Sequence, residues 1–132
     1  MFQIKRSNPP TMERPPGYSH VVEITGGARI VFFAGQLGID RSGAFANGFE
    51  SQTTQAFENL KAALTAAGAG FDHLVKITVF IVDIERNIGA FRTIRDRYLV
   101  KSALPASTAI GVPALARPAA LFEIEAVAAL PA

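Results

Sequence analysis

The stretch from Glu50 to Gly70, ESQTTQAFENLKAALTAAGAG, carries its apolar side chains along one side of a helix. Phe57, Leu60 and Leu64 recur at helical spacing, and Ala56, Ala63 and Ala67 widen the same stripe. Glu58 and Lys61 form an i,i+3 pair on the other side. Ser51 reads as the N-cap, with Glu50 suited to the positive end of the helix dipole, and Gly68 as the left-handed residue that stops the helix. A stripe of this kind must be buried against something flat. The β-type run Leu74 to Ile84 (LVKITVFIVDI) follows almost at once, so a helix laid on a sheet is the first inference.

Bulk properties narrow the class. The 132 residues suffice for one domain, 1–132, with a single core. With 49% hydrophobic and 18% charged residues the chain is no candidate for disorder. A net charge of +2 is not the dense basic surface that nucleic-acid binding asks for. Cysteine is absent, which removes disulfides, thiolate metal sites and a cysteine nucleophile, and fits a reducing compartment. The start, MFQIKRSNPP, lacks the apolar core of a signal peptide, and no apolar run reaches membrane-spanning length. A soluble, cytoplasmic protein is expected.

Taken in order, Phe2 to Lys5 alternates like an edge strand, and Ser7 to Gly17, with four prolines, is an extended surface segment. Ser19 to Thr25 reads as a strand, Gly26-Gly27 as a tight turn and Arg29 to Gln36 as its hairpin partner. That partner is almost wholly apolar and is expected to be buried on both faces. In Leu74 to Ile84, Val75, Ile77, Val79 and Ile81 line one face, and the strand–helix–strand order suggests a parallel crossover in a mixed sheet. Ile88 to Leu99 is a second helix, with Ile88, Phe91, Ile94 or Arg95, and Tyr98 on one stripe. Ser107 to Val112 and Leu121 to Ala129 are the last strands. The order ββαβαββ, with an extra N-terminal strand allowed, gives an α+β fold: two helices on one face of a mixed sheet. The other face then needs cover, and a second copy of the chain is the favoured source.

Chemistry has few candidate seats. In a strand, Glu123 and Glu125 point to one face between apolar neighbours. A desolvated glutamate there would have the raised pKa that proton transfer uses, although two solvated carboxylates are the commoner outcome. His20 and His73 lack ligand-spaced companions, so no metal site is expected. Gly68-Ala69-Gly70 ends a helix instead of opening one and is not a phosphate loop. Arg86, Arg92, Arg95, Arg97 and Lys101 are diluted by acids and read as a solvated helix face. Tyr18, after two prolines and a glycine, either plugs the core or offers its hydroxyl to a ligand.

The ensemble PPGYSH (15–20), FFAGQLGID (32–40), QTTQAFENLKAALTAAGAGFDHLVKITVFIVD (52–83), PAST (105–108) and FEIEAVA (122–128) resembles the RidA, or YjgF-type, reactive intermediate deaminase family. The resemblance implies a chorismate-mutase-like fold, a homotrimer and a small-molecule cleft at each subunit interface, with no cofactor. It also implies hydrolysis of reactive imines or enamines to a carbonyl compound and ammonia. Glu123 matches the family's acid/base, Tyr18 its pocket tyrosine and Gly35 a backbone contact, while Ser107 and Thr108 match small residues lining the pocket. Three positions depart. Ala106 stands where an arginine clamps the substrate carboxylate, Ala34 replaces a pocket serine, and Phe91 stands near an expected asparagine. A methyl group cannot replace a bidentate clamp, so Ala106 argues against the archetypal 2-aminoacrylate activity. Arg14 and Arg117 are the candidate replacements for the clamp. A non-catalytic, small-molecule-binding homotrimer is the alternative reading.

Overall fold

The computed structural model describes residues 1–132. Its strands are β1 (Gln3–Ser7), β2 (Val21–Thr25), β3 (Ala28–Leu37), β4 (Leu74–Val82), β5 (Ala106–Val112) and β6 (Phe122–Pro131). Two helices, α1 (Phe49–Ala66) and α2 (Ile84–Tyr98), complete the frame, with a 3-10 turn at Phe71–His73 before β4. The main sheet has the order β3-β6-β4-β5. β6 runs antiparallel to both of its neighbours, and β4 and β5 are parallel. This is the α+β architecture expected, with the allowed N-terminal strand present as β1.

Alternation along two strands divides the molecule. Val75, Ile77, Val79 and Ile81 of β4, and Phe122, Ile124, Ala126 and Ala128 of β6, are all buried. Against them α1 lays Ala56, Phe57, Leu60 and Leu64, and α2 lays Phe91 and Ile94. Phe57 is the hub of this layer, with its ring centroid 4.9 Å from Tyr98, 6.1 Å from Phe122 and 6.5 Å from both Phe71 and Phe91. The helix stop is as the sequence suggests. Gly68 has φ 75°, its amide donates to the Thr65 carbonyl, and the Ala69 amide donates to the Leu64 carbonyl, which closes a Schellman motif.

Several boundaries and pairings differ from expectation. α1 starts at Phe49 after Gly48, with no side-chain cap, so Ser51 is already inside the helix. α2 starts at Ile84, four residues early, because Asp83 takes a left-handed turn (φ 53°) that ends β4 at Val82. The adjacent parallel pair is β4 and β5 across α2, while β3 and β4 are separated by β6. β2 pairs with β1, not with β3. The Gly26-Gly27 link is short enough for a hairpin, but β1 supplies the ladder for β2, and the start of β1 crosses so closely that a Cβ on Gly26 would meet the Met1 carbonyl. Finally, β3 has no fully buried residue: Phe33 packs half-buried against the core, while on the other face Phe32 is 78% exposed and Ile30 is 43% exposed.

Truncating Phe57 to alanine removes the ring at the centre of both helix layers. Phe57→Ala is expected to cost about 3–5 kcal/mol, read as a lower urea midpoint.

Candidate functional site

The uncovered face of the sheet carries the polar groups. Register places residues in rows across β6, β4 and β5: Glu123, Phe80 and Ile110; then Glu125, Thr78 and Thr108; then Val127, Lys76 and Ala106. Phe32 joins the last row through its pairing with Val127. Lys76 Nζ donates to Thr108 Oγ1 at 2.8 Å. Its pKa is lowered by burial, which outweighs the opposing pull of Glu125. An acid–base island is thus set in an apolar surround.

Glu123 has the most specialised surroundings. Between Phe33 and Gln36 the β3–β6 register slips, so Ala34 and Gly35 form a bulge beside the first residues of β6. The Glu123 carboxylate lies over that bulge, where a Cβ on Gly35 would collide with it. A side chain at position 35 would force the Glu123 carboxylate to move. The Glu123 carboxyl is pushed above the usual 4.5, first by burial and then by the like charge of Glu125.

Two amides of α1 hold the ends of these strands. Gln52 is buried, donates from Nε2 to the Ala119 carbonyl at 3.0 Å and accepts the Leu121 amide at 2.9 Å. It fixes the chain two residues before Glu123. Asn59 Nδ2 donates to the carbonyls of Leu37 (3.0 Å) and Ile39 (2.8 Å), and so fixes the end of β3 just beyond the bulge. Gln52 and Asn59 are the positioning residues that sequence reasoning passed over. They lie in the most recognisable stretch of the chain, and their polarity on the inward side of an amphipathic helix was the available signal.

The other half of the candidate set lies elsewhere. Ser19 donates its amide to the Pro105 carbonyl (2.9 Å) and its hydroxyl to the Leu104 carbonyl (2.7 Å), which sets Tyr18 beside the start of β5. Ala106 opens that strand, Thr108 shares its open face, and Ser107 pairs with buried Ile77 on the helix side. From the register, Ala106 lies two strands across and four residues along from Glu123, roughly 10 Å by about 13 Å. One substrate could not span these halves within one chain.

Three expectations need correction. Phe91 is 2% exposed, at the centre of the core against Phe57 and Phe122, and cannot touch a ligand. Its spacing marked a core stripe. Arg117 stacks over Phe45 at 5.1 Å and does not line the cleft beside Tyr18. Arg95, read as part of a solvated basic face, is 7% exposed, stacks on Phe91 at 5.7 Å and packs against Gly17. Arg14, by contrast, lines the same cleft as Tyr18.

Comparison with known proteins bears on this arrangement. Residues 11–130 match the Endoribonuclease L-PSP family. A RutC family protein of Aquifex aeolicus is 35% identical over 97% of this chain and 98% of its own length. The human 2-iminobutanoate/2-iminopropanoate deaminase is 36% identical over 76% of this chain and 72% of its own. The crystal structure of the Rid-family protein YyfB from Yersinia pestis superposes with a TM-score of 0.84 at 34% identity, covering 96% of this chain and 98% of that one. No helix is long and apolar enough to cross a membrane.

The raised Glu123 pKa has a definite sign. The native state binds this proton more tightly than the unfolded chain does, so the carboxylate weakens folding as pH rises above its unfolded value. Glu123→Gln is therefore expected to gain stability relative to wild type between about pH 4 and 7. Urea unfolding at both ends of that range checks it, and a stability difference that does not change with pH contradicts the assigned environment.

Proposed function

The chain belongs to the Endoribonuclease L-PSP family, which includes the RidA/YjgF deaminases, and from that premise we propose that it hydrolyses small reactive imines with Glu123 as acid/base. The observation that carries this reading is the Glu123 carboxylate, half-buried over the Gly35 bulge with its proton affinity raised. A carboxyl poised in this way is matched to both halves of an addition–elimination.

In the proposed sequence, Glu123 takes a proton from water as the water oxygen attacks the imine carbon. The C=N π pair moves to nitrogen, which receives that proton back through Glu123 and gives a neutral carbinolamine. Glu123 then carries the carbinolamine O–H proton to nitrogen. The C–N bond breaks, ammonia leaves and a carbonyl compound remains. One water is consumed and one ammonia released, with no redox change.

The functional unit in this proposal is a homotrimer with a ligand cleft between neighbouring copies. Two features support it. Phe32 and Ile30 leave an apolar face without a covering layer, an arrangement that marks an interface. The Tyr18–Ala106 half and the Glu123–Gly35 half lie too far apart to share a ligand within one copy. A neighbouring copy could bring the halves together. A binder without turnover is the second reading, and it rests on Ala106 and Ala34, which offer only methyl groups where a polar pocket would hold substrate.

Ammonia release from freshly generated 2-iminopropanoate and from imines lacking a carboxylate tests the reading. Turnover is expected to favour the latter, and Glu123→Gln to lower it by about 10²–10⁴-fold. Ala106→Arg is expected to raise activity on 2-iminopropanoate by about 10–100-fold, the worth of a charge-assisted clamp. A ligand that stabilises the protein without turnover on any imine supports the binder instead. Phe32→Glu is expected to shift the assembly to monomer in light scattering, and an unchanged mass would remove Phe32 from the interface.

A further inference from the structure

A cleft of about 300 Å³ on the flank of the β1–β2 ladder adjoins the Tyr18 half of the site described above, and Tyr18 belongs to both. It is lined by Arg6, Asn8, Arg14, Tyr18, Ser19, Lys101 and Ser102, with Pro15 and Leu104 as its apolar floor. Neither Glu123 nor Ala106 lines it. Three of the nine lining residues are cations, and none is a carboxylate.

No carboxylate lines the cleft, although the charge of Asp72 acts on Arg6 from outside it. Arg6 donates through Nε to the Leu104 carbonyl (3.2 Å) and through Nη2 to the carbonyls of Asp72 (2.9 Å) and Leu74 (3.1 Å). These bonds lock the guanidinium without neutralising it and leave Nη1 free of any protein acceptor. Arg14 and Lys101 make no ion pair either; the chain's salt bridges are Lys5–Glu23, His73–Asp72 and Arg95–Asp96. A second cleft of about 350 Å³ shares Arg14, Pro15, Lys101 and Leu104, and the one acid on its wall, Asp96, is already paired with Arg95 at 3.0 Å. Three cations around one cleft offer an anion a complementary field.

Neutral donors face the same space from an anchored loop. Asn8 Oδ1 accepts the His20 amide at 2.8 Å, which turns the Asn8 amide NH₂ away from that bond and leaves it free to donate. His20 Nε2 donates to the Glu13 carbonyl at 2.7 Å and pins the loop that carries Arg14. Tyr18 is braced edge-on against His20, with 5.4 Å between ring centroids, and its hydroxyl has no protein partner. The Ser19 hydroxyl is committed to the Leu104 carbonyl, so it shapes the wall without donating to a ligand.

We propose that this cleft is a binding site for a small, multiply charged oxyanion, a phosphate or a polycarboxylate. Arg14, Lys101 and the free edge of Arg6 supply the charge, and Asn8 and Tyr18 supply neutral donors. The site stands whether or not Glu123 is catalytic, because Glu123 does not line it; Tyr18 is the residue it shares with the proposed substrate cleft. Its occupant would lie against Pro15 and Leu104, beside Tyr18.

Calorimetric titration of the whole protein with inorganic phosphate, and separately with citrate, tests this at low salt. One saturable site per chain is expected, and the preferred anion distinguishes a phosphate source from a carboxylate source. The double variant Arg14→Ala, Lys101→Ala should weaken binding at least ~10-fold, the scale of a lost charge-assisted contact. Arg92→Ala, Arg97→Ala removes as much charge from the outer face of α2 and should leave binding unchanged. Lys101→Glu alone serves as a second variant should the first fail to fold. Absence of saturable binding for both anions, or equal weakening in the α2 control, overturns the proposal.

Discussion

The alternation along β6 is the constraint on which the rest of this molecule depends. That strand lies between β3 and β4, so every long strand but β5 pairs with it directly. Phe122, Ile124, Ala126 and Ala128 are turned into the helix layer, where burial drives folding, and Glu123, Glu125 and Val127 are thereby turned out. A slip by one residue would bury two carboxylates and expose a phenylalanine, so the register is strongly specified. The carboxylate-bearing face is thus the obligatory reverse of the core.

Around that strand, α1 has two duties. Its apolar stripe closes the core through Phe57, Leu60 and Leu64. Its inward amides, Gln52 and Asn59, grip the chain on either side of the Gly35 bulge, one before β6 and one after β3. Helix packing therefore transmits directly to the position of the Glu123 carboxylate. The helix thus sets where that carboxylate can lie. Buried amides that bond main-chain atoms are costly to replace, since loss of either partner leaves a buried polar group unsatisfied.

Much of this was legible from residues alone, for identifiable reasons. Both helices and every main-sheet strand follow from periodicity, and Gly68 as a helix stop follows from its conformational freedom. The carboxylate pair on one strand face follows from a period of two. Other features depend on partners distant in sequence. Asp83 ends β4 early by a backbone turn that no side-chain pattern announces, and β2 pairs with β1 in spite of a turn that locally favours a hairpin. Arg95 and Phe91 share a helix stripe, but only the fold reveals that the guanidinium is packed inward over the ring. The bulge at Ala34 and Gly35 was equally invisible, because a register slip belongs to two strands and not to one.

The central claim is that each copy carries two separated halves of a site, one around Glu123 and Gly35 and one around Tyr18 and the start of β5. Subunit complementation measures it most directly. Glu123→Gln and Tyr18→Ala chains, each deficient alone, are dissociated, mixed and reassembled, and ammonia release from an imine is followed. Recovery of activity in the mixture, above the sum of the two parents, is the predicted result, since some interfaces then join an intact Glu123 to an intact Tyr18. A mixture no more active than its parents, with mixed assembly verified by mass, would contradict the shared site.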